Sequence, residues 1–137
     1  MSRILLCAIH SQYIHTSPAL GSLSRYAGCR GLRMGLAEYN VNQPVDQILQ
    51  DLYGKKPDIL GFSCYLWNIG IVEGLVKELK LLLPSLKVFL GGPEVSFDPM
   101  DTLSRIPADY IVAGEGERRV YLLLRDLTEG KTPRKID

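Results

Sequence analysis

The chain has 137 residues, with 16 Lys plus Arg against 15 Asp plus Glu and a formal net charge of +1. That length holds one domain of roughly 150 residues and no more. The near-neutral balance argues against nucleic acid or an acidic membrane as the main partner. The apolar share of 46% and charged share of 23% are ordinary for a globular chain. Such a chain buries roughly two-thirds of its unfolded surface and needs no disulfide framework. Three cysteines without paired spacing suit a reducing cytosol. No apolar run approaches the roughly 20 residues of a membrane span. The start of the chain lacks the charged region, apolar stretch and small-residue cleavage site of a signal peptide. A cytoplasmic protein is expected.

Ile4 to Ile9 is a continuous apolar run, the pattern of a strand buried on both faces of a parallel sheet. Ser17 and Pro18 then supply an N-cap and a first-turn proline. Leu20, Leu23 and Ala27 share one helical face, and Gly28 and Gly31 are stop signals. Met34 to Tyr39 is a weaker strand, suited to an edge. Val45, Ile48, Leu49, Leu52 and Tyr53 follow a helical stripe that Gly54 ends. Asp58 to Cys64 is a second buried-strand run. Asn68 stands where it caps a helix with the stripe Val72, Leu75, Val76, Leu79, Leu82 and Leu83, terminated by Pro84. Lys87 to Leu90 is a strand running into Gly91-Gly92-Pro93. A short helix follows from Pro99 to about Ile106. Tyr110 to Ala113 is the fifth strand, and Glu117 starts the last helix, with Val120, Leu123, Leu124 and Leu127 inward.

Five strands alternating with five helices predict a doubly wound parallel α/β sheet in three layers, α/β/α, with right-handed crossovers. The flavodoxin-like, Rossmann-like strand order 2-1-3-4-5 fits a single five-unit domain. Residues 1–130 make up this domain. Residues 131–137 are polar and basic, without an apolar stripe, and read as the start of a linker.

In such sheets ligands bind beyond the carboxyl ends of the strands. The loops there, 10–17, 39–44, 64–68, 91–98 and 114–117, hold both histidines, the single tryptophan, a Gly-Gly pair and a Gly-Glu-Gly-Glu run. Loops collect glycine and polar residues in any protein, so the content alone does not define a site. Familiar motifs are excluded one by one. Gly-x-Gly-x-x-Gly is missing after the first strand, where a dinucleotide would need it. Gly114-Glu115-Gly116 comes late, has Arg119 at the third glycine position, and carries carboxylates that repel phosphate. Gly130-Lys131-Thr132 imitates the end of a phosphate-binding loop, but Arg125 replaces the first glycine and a helix precedes it. Cys7, Cys29 and Cys64 are too far apart for a local zinc or iron–sulfur motif, and no residue is assigned to a metal or to catalysis.

What remains is a cleft of small residues. Gly61 and Ser63 end the third strand, and Gly91 and Gly92 the fourth. Together they leave a slot into which a flat organic group can pass, meeting backbone amides and a hydroxyl. His10, Tyr13, His15, Tyr65 and Trp67 surround it and can cover a broad planar ligand.

Four stretches carry a resemblance: Tyr13-Ile14-His15-Thr16, Gly61 to Asn68, Leu90 to Ser96 with its Gly91-Gly92-Pro93-Glu94-Val95 core, and Gly114-Glu115-Gly116-Glu117. In this order they resemble the N-terminal cobalamin (vitamin B12)-binding domain of cobalamin-dependent radical S-adenosylmethionine (radical SAM) proteins. The resemblance implies a cobalamin held by Tyr13, His15, Thr16, Ser63, Cys64, Tyr65, Trp67, Gly91, Gly92, Pro93, Glu94, Val95, Gly114, Glu115, Gly116 and Glu117. It implies that Ser63 and the Gly91-Gly92 pair receive the dimethylbenzimidazole tail. Better known members carry Asp-x-His-x-x-Gly, whose histidine ligates cobalt. Here Tyr13 replaces the aspartate and Pro18 the glycine around His15, so the expectation is a contact residue and not a cobalt ligand.

The resemblance further implies a partner, a radical SAM barrel of the same longer chain. Its Cys-x-x-x-Cys-x-x-Cys motif would hold the [4Fe–4S] cluster and S-adenosylmethionine. No such motif occurs here, so this domain is expected to bind and orient the cofactor while the chemistry takes place in the other domain. Two alternatives on the same fold stay open. One is a flavin or phosphate-receiving module, which the absence of an aspartate at Ser63 or Cys64 disfavours. The other is an interaction or regulatory module with no cofactor.

Overall fold

The structure, a computed structural model, describes residues 3–11, 18–96, 98–113 and 116–131. The elements run β1 (Ile4–His10), α1 (Pro18–Gly28), β2 (Gly35–Asn40), α2 (Val45–Lys55), β3 (Ile59–Ser63), α3 (Ile69–Leu82), β4 (Lys87–Gly91), α4 (Pro93–Ser96), α5 (Pro99–Arg105), β5 (Tyr110–Ile111) and α6 (Glu117–Thr128). The sheet is parallel throughout in the order β2-β1-β3-β4-β5, as the alternation of apolar runs and amphipathic stripes predicts. Ser17, expected to cap α1, and the linker-like residues 132–137 lie outside the described residues.

Strand side chains alternate between the two faces, so each strand feeds two cores. Leu5, Cys7 and Ile9 of β1 join Leu60 and Phe62 of β3 and Leu90 of β4 on the face covered by α2 and α3. Ile4, Leu6 and Ala8 join Ile59 and Phe89 on the face covered by α1 and α6. β1 is buried along all seven residues, as its central place requires.

Four local expectations are corrected. Gly54 does not end α2; the helix continues to Lys55, and Lys56 takes the left-handed terminal conformation (φ 48°, ψ 56°) with its N–H on the Tyr53 carbonyl. β5 is two residues long, although the Val112 N–H still reaches the Leu90 carbonyl at 2.8 Å. A sixth helix, the single turn α4, follows directly on Gly92. Asn68 occupies the N-cap position of α3 but makes no capping bond; its side chain points back into the sheet. Where α3 stops, the Leu83 N–H closes on Leu79 at 2.7 Å before Pro84 prevents continuation. Asp98 caps α5 by accepting from the Asp101 N–H at 3.2 Å, with Pro99 in the first turn.

Candidate ligand slot

The parallel register sets the site in rows. Ala8, Ser63 and Gly91 lie side by side across β1, β3 and β4. Leu6, Gly61 and Phe89 form the next row on the same face, two residues further from the carboxyl edge. The outer row is small and the inner row large. Under α1 and α6 this difference leaves a cavity of about 680 Å³ that reaches the carboxyl edge. Ser63 and Gly91 line it from the strand ends, Tyr65 and Gly92 from the segments that follow them, and Leu20, Leu23 and Tyr26 from α1. Gly116, Glu117, Arg118 and Val120 complete it from α6. The walls are mostly apolar with a few polar groups among them, which suits a flat organic ligand with a polar end.

The three glycines differ in what they make room for. A Cβ on Gly91 would meet only the Val112 carbonyl at 3.8 Å, so its vacancy belongs to the slot. Gly92 has φ +102°, and a Cβ there would sit 2.5 Å from the Cys64 oxygen and 2.8 Å from its nitrogen. That glycine lets the β4 turn close onto the β3–α3 loop, held by Cys64 N–H to Gly91 carbonyl at 2.7 Å and Glu94 N–H to Cys64 carbonyl at 3.3 Å. At Gly61 a Cβ would fall 2.6 and 2.7 Å from two ring atoms of Phe89, and closer still to the ring tip. Gly61 is therefore not open space; the Phe89 ring fills it and forms the floor of the slot.

The loop over the mouth is pinned by one buried amide. Asn68 Nδ2 donates to the carbonyls of Ile9 and Ser63, both at 3.0 Å, and its Oδ1 accepts the Tyr65 N–H at 2.8 Å. The Trp67 indole N–H donates to the same Ile9 carbonyl at 3.1 Å. Tyr65 and Trp67 stack with ring centroids 4.6 Å apart and planes 4° apart, while Trp67 stays half exposed. The sequence pattern places Asn68 as a helix cap and gives no sign of its role as the bolt joining β1, β3 and this loop. An Asn shortly after a strand serves both uses, so no sequence signal separates them.

The other expected site residues divide. Cys64 and Val95 are fully buried in the α2/α3 core, away from the cavity. Burial, reinforced by the nearby Glu94 charge, pushes the Cys64 thiol up to about 12, so it presents no thiolate at neutral pH. Pro93 and Glu94 are exposed on α4. Glu117 accepts a hydrogen bond from Ser22 and so ties α6 to α1 across the cavity wall. Tyr13, His15, Thr16, Gly114 and Glu115 lie outside the described residues. His10, expected to cover the cleft, is buried; among the described residues its Nε2 has no hydrogen-bond partner, and it stands 3.6 Å from Glu38 Oε1. Among the described residues no group of three or more His, Cys, Asp or Glu is placed to hold a metal, and no helix is long and apolar enough to cross a membrane.

A parallel sheet of this order, with a cavity at the ends of its third and fourth strands, is a doubly wound α/β domain, the class in which ligands bind beyond the carboxyl ends of the strands. Residues 4–124 match the B12 binding domain family, and the chain belongs to that family. It is 36% identical over 93 residues to 2-(S-pantetheinyl)-carbapenam-3-carboxylate methyltransferase of Streptantibioticus cattleyicolor, covering 64% of this chain and 14% of that protein. It is 36% identical over 63 residues to the cobalamin-dependent radical SAM methyltransferase TokK of Streptomyces tokunonensis, covering 45% of this chain and 9% of that one. The chain thus spans a small part of the length of these curated relatives. Among solved structures, the cobalamin-dependent S-adenosylmethionine radical enzyme OxsB with aqua-cobalamin and S-adenosylmethionine bound superposes with a TM-score of 0.77. That match has 20% identity over 96% of this chain and 19% of the other. At that identity the likeness is one of fold.

Proposed function

We propose that this chain binds cobalamin at the carboxyl edge of its sheet and holds it for a radical SAM barrel, itself binding and not catalysing. The reading is carried by the slot: a cavity with small residues at its mouth, in a chain of the B12 binding domain family. The slot fits one end of such a cofactor. Gly91 leaves room for a flat heterocycle, and Ser63 lines the same wall with a hydroxyl able to hydrogen-bond it. Leu20, Leu23 and Val120 provide apolar cover that excludes water from it. The stacked Tyr65 and Trp67, pinned by Asn68, present a broad rigid face at the mouth for the corrin. When bound, the cofactor supplies cobalt chemistry such as carriage of a methyl group. The names of the curated relatives support a methyltransferase setting. The barrel, its [4Fe–4S] cluster and S-adenosylmethionine belong to that setting and not to residues described here.

The test is retention of corrin absorbance after the chain is mixed with hydroxocobalamin and desalted. Wild-type protein is expected to retain it. Gly91→Leu, which fills the slot, is expected to lose it while keeping its melting temperature. Gly54→Ala, on an open surface of α2, is expected to behave as wild type. Equal retention by both variants overturns the placement, and no retention by wild type overturns the cobalamin reading in favour of a cofactor-free module.

A further inference from the structure

We infer that the contact of Phe89 with Gly61 measures the depth of the slot, and so selects among corrinoids by the size of their lower nucleotide base. The inference rests on the cobalamin reading of the same slot and adds a specificity determinant to it.

The geometry is a step in the sheet surface. A flat group sliding in from the carboxyl edge first passes the row of Ala8, Ser63 and Gly91, where side chains are minimal. Two residues further along each strand, about 7 Å deeper, it meets the row of Leu6, Gly61 and Phe89. Leu6, Gly61 and Phe89 all line the cavity, and Phe89 is buried against its inner end. That depth accommodates a fused two-ring heterocycle edge-on and ends where a third ring would begin.

The floor is adjustable in both directions. The tip of the Phe89 ring occupies the place where any other residue at position 61 would put its Cβ. The ring leans into the vacancy and so stands clear of the slot. A methyl group at position 61 evicts the ring tip, and the space available to it is the slot. The conflict involves the far end of a side chain and no backbone, so the strand itself tolerates the change. Removing the ring at position 89 has the opposite result and deepens the slot by the thickness of the lost side chain. Leu6 also pairs with Gly61 in the register, but the three atoms nearest to a Cβ at position 61 all belong to the Phe89 ring, so the seesaw relation is with Phe89. The selected ligands are corrinoids with a compact benzimidazole-type base.

The experiment compares binding of four corrinoids by the 137-residue chain and its variants, read by equilibrium titration of the visible spectrum. Three carry benzimidazole, dimethylbenzimidazole (cobalamin) or naphthimidazole as lower base, and cobinamide carries none. Gly61→Ala is expected to shift preference about tenfold from dimethylbenzimidazole toward unsubstituted benzimidazole, the worth of a methyl-sized misfit in an apolar pocket. Phe89→Ala is expected to shift it by a similar factor toward naphthimidazole. Phe89→Leu, which keeps more of the core, shifts it the same way by less and serves if the alanine variant fails to fold. Cobinamide affinity stays unchanged in all of them. Unshifted ratios, or shifts of the same sign in Gly61→Ala and Phe89→Leu, overturn the inference while wild-type preference for cobalamin over cobinamide leaves the slot reading intact. A wild-type protein that binds cobinamide as tightly as cobalamin overturns the tail-in-slot reading itself.

Discussion

On the face of the sheet under α2 and α3, Ile48, Leu52, Leu60, Val72, Val76, Leu79 and Leu90 pack with no exposed surface. On the face under α1 and α6, the same strands contribute Leu6, Phe89 and their neighbours to a core that stops short of the carboxyl edge and leaves a cavity. The difference comes from two positions on adjacent strands. Ser63 and Gly91 point to the hollow face, whereas Phe62 and Leu90, one residue before each, point to the filled one. The sheet therefore separates two kinds of surface within a single residue step: one face is fully packed, and the other leaves a cavity at the carboxyl edge. Hollowing costs stability, since each missing group forfeits dispersion contacts and burial. A fully packed opposite face offsets it.

Leu→Ala substitutions on the two faces test this contrast most strongly. Leu79→Ala, on α3 in the filled face, should destabilise by about 2–5 kcal/mol, because the hole left there cannot collapse. Leu23→Ala, which already borders the cavity, should cost only the lost burial, about 1–1.5 kcal/mol. Urea unfolding of both variants checks the difference, and equal costs would show that the faces are not mechanically distinct.

Gly92→Ala comes next. The residue belongs to the mouth of the slot, yet its positive φ and its closeness to the Cys64 backbone make it a hinge of the fold. The expected loss is about 1–3 kcal/mol of stability, in contrast to Gly91→Leu, where stability holds and binding falls. A Gly92→Ala protein as stable as wild type would place this glycine on the ligand side of the division.

Alkaline pH offers a third, smaller probe that reads the filled face alone. Cys7 and Cys64 lie there, and burial raises both thiols above their ordinary value of 9.0. The folded chain therefore keeps protons that the unfolded chain releases. Stability is unaffected below about pH 9 and falls as pH rises toward 12, by roughly 1.4 kcal/mol per pH unit for each thiol. Tyr39, kept protonated by burial and its hydrogen bond to Asp51, adds to the fall above its own ordinary value of 10.0. Denaturant melts across this range, compared between wild type and a Cys7→Ala/Cys64→Ala double variant, should show a flatter profile for the variant. Parallel profiles would contradict the assignment.

The smallest effect concerns His15. With Tyr13 and Pro18 flanking it in place of the residues that orient and admit a cobalt-ligating imidazole, His15→Ala should weaken cobalamin binding modestly and leave the bound spectrum unchanged. Nitrogen hyperfine structure in the cobalt(II) paramagnetic resonance spectrum, lost on that substitution, would make His15 the ligand.

The parallel sheet was legible because runs such as Ile4 to Ile9 admit no other reading in a chain that alternates with amphipathic stripes. The side of the sheet that carries the slot was less so. Gly61, Gly91 and Gly92 look alike in sequence, and each leaves out a side chain for a different neighbour: the Phe89 ring, the cavity and the Cys64 backbone. Which neighbour arrives depends on strand register and loop closure, which are long-range properties. One clue was available. A lone glycine within a strand run, with an aromatic in the next strand, often signals that the ring lies across the glycine. The walls contributed by Leu20, Leu23 and Tyr26 went unrecognised because a helical stripe looks the same whether it packs on a core or roofs a cavity.

Trp67 is the single tryptophan of the chain. Its ring lies parallel on Tyr65, its N–H is tethered to the end of β1, and one side faces solvent at the carboxyl edge of the sheet. All indole fluorescence of this 137-residue chain thus originates from one fixed point beside the mouth. Corrins absorb strongly where indole emits, so a chromophore arriving there would drain the emission by energy transfer, and its quenching would time each arrival and departure without any added label.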